Sequence, residues 1–392
     1  MGGGKGLALG VVLALAGLTA GAWLVTREAT PPTQTTRLTV AEALGGTGGT
    51  EGYARAEGPR EFHFPEDHGP HPEFRTEWWY WTGNLETSDE HAFGYQFTLF
   101  RNAMAPREAD RESAWGSRDI YMGHFALSDI TAGRFHAFER FSRAAVGLAG
   151  AQAQPFQVWL ENWKVEGGES GVFPMKLSAE SQGVALSLVL EEGKPPVLQG
   201  DRGLSQKTAG AGNASYYYSL TRMPTRGTVT VDGRTHEVTG TSWMDREWST
   251  NSLGAEQVGW DWFAFQLSDG SEIMHYQLRR QDGSADPFSV GVDIPPQGEA
   301  VRLSRDEVRI EVLSTWRSPR SGTTYPARWR FSVPSRQLVL EITPAQADQE
   351  LPVTVLYWEG AVRIQGTRAG QPITGRGYVE LTGYGDAAQL PH

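Results

Sequence analysis

The chain predicts an all-β protein of antiparallel strands arranged in two related halves, and three observations carry that expectation. Apolar and polar residues alternate over short stretches at 92–100, 184–190, 227–231 and 329–333, separated by clusters of Gly, Pro, Asp and Ser, the pattern of half-buried strands between turns. Helical periodicity is weak beyond the first 28 residues, where 40–44 and 345–350 are too short to count. Residues 78–85 and 260–267 share an aromatic spacing, and each is followed by a Tyr-Gln pair, Tyr95-Gln96 and Tyr276-Gln277. A pattern repeated at nearly constant offset reads as a duplicated strand hairpin. Many short strands at near-regular spacing make a sandwich or a barrel.

Taken in order, residues 6–25 form an uncharged apolar run between Lys5 and Arg27. Ala20-Gly21-Ala22 offers a small-residue cleavage pattern, yet about 20 apolar residues also suffice to span a bilayer. Residues 1–28 therefore read as a signal peptide or an N-terminal membrane anchor. Either places the remainder outside the cytoplasm, periplasmic or secreted, or held at the inner membrane by residues 6–25. The chain has no cysteine, which rules out disulfides and a lipoprotein anchor. Residues 29–60, rich in Thr, Gly, Ala and Pro, read as a flexible linker. A first β-domain is expected over 61–236 and a second over 237–386, with 387–392 as a tail. The boundary rests on Asp232-Gly233 as a turn after which a new strand leads to Trp243.

The 392 residues carry a net charge of -11 and no compact Lys/Arg cluster, so nucleic acid is not an expected partner, since phosphate binding needs a basic surface. The 14 Trp, 12 Tyr and 16 Phe exceed what a core alone requires and point to aromatic-lined cavities. A serine nucleophile elbow, a zincin motif and a phosphate-binding glycine loop are all missing from the sequence, which removes support from the common hydrolase and nucleotide chemistries. His63, His68 and His71 lie close together, but a Pro/Gly-rich loop lacks the spacing that fixes metal geometry, so neither metal nor cofactor is expected.

Two aromatic patches contain acids. In Glu77-Trp78-Trp79-Tyr80-Trp81, strand alternation groups Glu77, Trp79 and Trp81 on one face. In Trp243-Met244-Asp245-Arg246-Glu247-Trp248 it groups Trp243, Asp245 and Glu247, and sends Arg246 to the other side. Two carboxylates on an apolar face push their pKa values apart, and desolvation favours the protonated form, so Asp245 is the candidate proton donor. The plainer alternatives are that Glu77 holds an indole or an Arg, and that Asp245 pairs with an Arg across the sheet. Trp260 and Trp262 flank Asp261, which reads as a hydrogen-bonding strut. His124 among apolar neighbours is a buried base or a satisfied core histidine. Tyr218 and Tyr276 supply hydroxyls over a cavity, or simply pack.

These same residues resemble the AttH/CrtC-like family, which includes carotenoid 1,2-hydratase (hydroxyneurosporene synthase) and exported proteins labelled predicted secreted hydrolases. The marks are His71-Pro72 through Tyr80, Gly123-His124-Phe125, Tyr217-Tyr218-Ser219, residues 243–249, Trp260-Asp261-Trp262, Tyr357-Trp358-Glu359-Gly360 and residues 377–384. The resemblance implies two lipocalin-like β-barrel domains packed together. It also implies a hydro-lyase of the carotenoid 1,2-hydratase kind that needs no cofactor, with Asp245 in the position of the suspected acid. Glu247 and His124 are then candidates for delivering water, and Glu77, Trp79, Trp81, Tyr218, Trp243, Trp260, Trp262 and Tyr276 for holding an isoprenoid or lipid-like ligand. Arg246 and Glu247 follow Asp245 in the style of the exported AttH relatives, which argues against a carotenoid itself. The alternative is a non-catalytic carrier of an apolar ligand in the cell envelope, serving a transport system.

Overall fold

Trp79, Trp81 and Leu85 are fully buried on one side of the strand Thr76–Glu86, and Trp78, Tyr80, Thr82 and Asn84 point to the other. That strand is therefore covered on both faces, and the computed structural model explains how. It describes residues 49–107, 113–169, 171–250, 253–254 and 256–385; the apolar segment 6–25, most of the expected linker and the tail lie outside them. Among the described residues the regular structure is two antiparallel sheets and three short 3-10 turns. No described helix is long and apolar enough to cross a membrane.

The first sheet runs in the order Arg134–Arg143, Asp119–Asp129, Ala92–Ala103, Thr76–Glu86, Arg234–Ser249, Ala214–Val231, Val184–Leu190, Gly171–Ser181, Trp163–Gly168, Gln157–Leu160 and Ala149–Gln152. The second runs Val301–Ser304, Val290–Ile294, Glu272–Arg280, Gln257–Leu267, Gln371–Thr382, Leu356–Arg368, Leu338–Pro344, Thr324–Val333 and Arg309–Arg317. Both sheets curl into barrel-like halves, and their plans correspond. In each, the first long hairpin (Thr76–Glu86 with Ala92–Ala103, Gln257–Leu267 with Glu272–Arg280) pairs on its open side with the last strand of its own sheet. The repeated aromatic spacing lies on these two hairpins.

Two parts of the expected domain plan change. Asp232-Gly233 turns a hairpin within one sheet, because Arg234–Ser249 pairs with Ala214–Val231 on one side and Thr76–Glu86 on the other. The chain changes sheet between Ser249 and Gln257, so Trp243, Asp245 and Glu247 belong to the first half. The end of the expected linker is also packed: Ala56 is 1% exposed in the first core, Tyr53 Oη donates to Ala103 O at 3.0 Å, and Tyr216 Oη donates to Gly58 O at 2.9 Å.

Each half has its own interior, with Trp79, Trp81, Phe97 and Trp163 in the first and Phe263, Phe265, Trp329 and Phe331 in the second. A buried aromatic removes roughly 150–250 Å² from water, worth about 4–6 kcal/mol at ~25 cal/mol per Å². A third cluster joins Tyr80, Tyr217 and Trp243 of the first sheet to Trp262, Tyr276 and Tyr378 of the second. Close approach here depends on Gly94, where an added Cβ would lie 2.7 Å from both Ala361 Cβ and Tyr378 Oη. Polar contacts fasten the same seam. Glu272, fully buried, takes Lys194 at 2.7 Å and also Arg222 of the first sheet.

Candidate active site

The seam between the halves opens into a cavity of about 90 Å³, built by register. In the first sheet Tyr80 lies opposite Asp245 and Trp78 opposite Glu247. On the far side of that strand Ser219 and Tyr217 oppose the same two acids, while Phe100 and Thr98 oppose Trp78 and Tyr80. Directly opposed residues of antiparallel strands share a face, so all these side chains leave the sheet together. The second sheet answers in the same way: Trp260 opposes Leu278, Trp262 opposes both Tyr276 and Glu380, and Glu359 opposes Glu380. All of these but Ser219 line the cavity, with Tyr357 and Lys207.

Asp245 is the most constrained acid. One carboxyl oxygen accepts Ser219 Oγ at 2.5 Å and Trp243 Nε1 at 2.7 Å; the other meets Tyr217 Oη, which in turn accepts Trp262 Nε1 at 3.1 Å. Burial pushes its pKa up to about 7, against the opposing pull of these hydrogen bonds. Near neutrality a substantial fraction of Asp245 is thus a carboxylic acid, able to give a proton. Glu247, two residues along on the same face, is held instead by Lys207 Nζ at 2.9 Å and by Ser215 Oγ. The Lys207 ammonium sits 4.3 Å from the Tyr276 ring centroid. Burial works against its charge, yet Glu247 and Tyr276 together more than offset this and raise its pKa.

Glu359 and Glu380, not singled out from the sequence as site residues, complete the lining. Burial, and for Glu359 the neighbouring Glu380, raise both pKa values, because adjacent buried carboxylates cannot both ionise cheaply. Their juxtaposition was legible in the turn. Ala369 and Gly370 both have positive φ, 49° and 79°, as a two-residue hairpin turn requires. Pairing outward from Arg368 and Gln371 brings Glu359 opposite Glu380.

The expected site residues divide. Asp245, Glu247, Trp260, Trp262 and Tyr276 line the cavity, and Trp243 orients Asp245. Glu77, Trp79 and Trp81 do not; their face is the interior of the first half. Glu77 is fully buried between Arg101 and Arg246 and accepts His71 N at 3.0 Å. Burial would raise its pKa, but the two guanidiniums overcome that and hold it well below the usual range, which disqualifies it as an acid. The Arg246 guanidinium stacks 3.9 Å from the Trp79 ring centroid. Tyr218 also turns inward, to His68 Nδ1 at 2.6 Å; its neighbour Tyr217 takes the cavity position. His124 sits behind the wall, with Nε2 3.1 Å from Glu139 and Nδ1 2.8 Å from Tyr357 Oη, so it reaches the cavity only through Tyr357. His71 stacks on Trp248 at 3.7 Å and bonds Asp67 at 2.9 Å. Among the described residues no group of three His, Asp or Glu is placed to hold a metal ion.

The division is testable with indole fluorescence. Trp78→Phe is expected to diminish the emission change that an apolar ligand causes. Trp79→Phe is expected to lower the unfolding midpoint and leave the ligand-dependent change intact. A ligand response lost with Trp79 and kept without Trp78 would reverse the assignment of faces.

Two curled antiparallel sheets sharing an acid-bearing aromatic cavity define a double-barrel, lipocalin-like protein. The chain belongs to the AttH-like family, whose model matches residues 55–384. A crystal structure of an AttH protein from Nitrosomonas europaea is 36% identical, with a TM-score of 0.75, over 84% of this chain and 99% of that one. Kievitone hydratase from Nectria haematococca has a TM-score of 0.66 at 14% identity, over 85% and 97% of the two chains. CghA bound to Sch210972 has a TM-score of 0.51 at 14% identity, over 86% and 98%. At that identity the last two speak for the fold alone. No curated protein sequence matches the chain.

Proposed function

We propose that the protein is a cofactor-independent hydro-lyase, of the carotenoid 1,2-hydratase kind, acting at the alkene end of an isoprenoid or similar apolar molecule. The observation that carries this is a carboxyl group, Asp245, kept partly protonated near neutral pH within an aromatic wall. The Asp245 O–H bond breaks as the alkene π pair forms a C–H bond, leaving a cation on the more substituted carbon. The faces of Tyr and Trp stabilise that charge without bonding to it. Water then forms the C–O bond, and the Glu247 carboxylate takes the proton water loses. Returning that proton to Asp245 restores the site, so one water is consumed per turnover. A hydratase shares this fold, which is an analogy of scaffold and not of site. With a cavity of about 90 Å³, against ~150 Å³ for a cavity that takes benzene, only one end of a long substrate is enclosed.

The test is incubation with short trisubstituted alkenes in ¹⁸O-labelled water. The expected product is a tertiary alcohol carrying the label, detected by mass spectrometry. Binding of the alkenes with no incorporation would remove the hydro-lyase assignment. It would favour the second reading, an envelope carrier serving a transport system, which the internal hydrogen bonds satisfying Asp245 also permit. On either reading residues 6–25 serve export, and the protein acts in the periplasm or outside the cell.

A further inference from the structure

The proposed hydration uses two of the four carboxyl groups lining the cavity, Asp245 and Glu247. Glu359 and Glu380 are left over, directly opposed on neighbouring strands and both facing the same space. Glu359 is 1% exposed. Its Oε1 accepts Tyr80 Oη across the seam at 2.7 Å, whereas Oε2 has no hydrogen-bond partner among the described residues. The one cation in the described lining, Lys207, is committed to Glu247. A buried polar atom without a partner is a standing cost of folding, and it is removed when a ligand supplies the missing partner. Trp260 and Trp262 stand next to the pair, Trp262 in direct register with Glu380 and Trp260 hydrogen-bonded to its carboxyl, so a donor placed there lies beside indole rings.

We infer that Glu359 and Glu380 form a head-group subsite that receives a hydrogen-bond donor on the ligand, an alcohol hydroxyl or an ammonium. The ligand is then not a pure hydrocarbon but an amphiphile whose enclosed end carries both the alkene and the donor. The two acids serve either donor. One carboxyl of the pair ionises to meet an ammonium, while a carboxyl oxygen accepts directly from a hydroxyl. Indole and phenol rings suit both, since they pack against alkyl groups and attract cations. The inference rests on the cavity being the ligand site, and adds the polar end that the site requires.

Three matched five-carbon probes test it: 2-methylbut-2-ene, 3-methylbut-2-en-1-ol and 3-methylbut-2-en-1-amine, titrated by calorimetry at pH 7. The unmodified protein is expected to bind at least one of the two donor-bearing probes about tenfold or more tighter than the hydrocarbon. Amine preference identifies an ammonium head and alcohol preference a hydroxyl head. Equal affinity for all three overturns the subsite, and because this ranking is read on the unmodified protein it does not depend on any variant folding. Glu359→Met, which removes both oxygens at similar length, is expected to bring the donor probes down to the level of the hydrocarbon; an unchanged ranking in a folded variant contradicts the assignment. Failure of the hydro-lyase reading looks different. If Asp245→Asn hydrates alkenes as fast as the unmodified protein while the ranking persists, the subsite stands and the proposed acid falls.

Discussion

Asp245→Asn is expected to lower the rate of alkene hydration by a factor of about 10² to 10⁴, the usual contribution of a positioned general acid, with ligand affinity kept within a few-fold. Asn retains the shape of the side chain and can still accept Ser219 and Trp243, but it has no carboxyl proton to give. On the proposed chemistry the unmodified protein is expected to lose hydration activity as pH rises through about 7, where Asp245 ionises, falling about tenfold per pH unit above that point because only the protonated fraction is active. Stability responds with a definite sign. The folded pKa is raised from 3.8 to about 7, so between those values the folded state holds a proton that the unfolded state has lost. Stability therefore declines as pH rises from about 4 to 7 and levels off above. The Asn variant lacks this slope and should gain on the unmodified protein by up to roughly 4 kcal/mol between pH 4 and 8. Denaturant melts of the two proteins at several pH values check this, and parallel pH profiles would contradict a neutral Asp245.

Glu77→Gln is expected to have the largest effect on stability, with little on chemistry. Glu77 compensates Arg101 and Arg246, both almost fully buried. Neutralising it leaves two guanidiniums in the first core with one carboxylate, Asp119 at 2.9 Å from Arg101, and backbone carbonyls. Breaking a buried pair by removing one partner costs about 3–5 kcal/mol. The loss is expected at every pH above about 5, because Glu77 is held ionised. A Gln variant that melts like the unmodified protein would mean that the backbone carbonyls around Arg246, Gly69 O at 2.6 Å among them, suffice alone.

Alternation carried much of the site. It put Asp245 and Glu247 with Trp243 and sent Arg246 to the opposite face, as the register with Thr76–Glu86 requires. It also put Trp260 and Trp262 together. The misreading on Thr76–Glu86 was one of choosing between two faces. Both are aromatic, and Glu77 drew attention to the Trp79 face, whereas the cavity takes Trp78 and Tyr80. Nothing local distinguishes a wall from a core there, because the deciding partner, Arg246, is 169 residues away. Tyr217 and Tyr218 posed the same choice. The all-β architecture and the duplicated hairpin were legible because they rest on period and repeat. The sheet change was not, since a turn such as Asp232-Gly233 joins strands of one sheet as readily as it separates two.

Burial keeps the Asp245 carboxyl partly neutral near physiological pH, where it faces the aromatic cavity between the two halves. Difference infrared spectroscopy of the unmodified protein against Asp245→Asn, titrated from pH 5 to 9, observes that group directly. The expected result is a protonated carboxyl C=O band present at pH 5 that disappears with a midpoint near 7. A carboxylate signature already complete at pH 5 would mean that Asp245 ionises like an exposed aspartate and has no proton to give near neutrality.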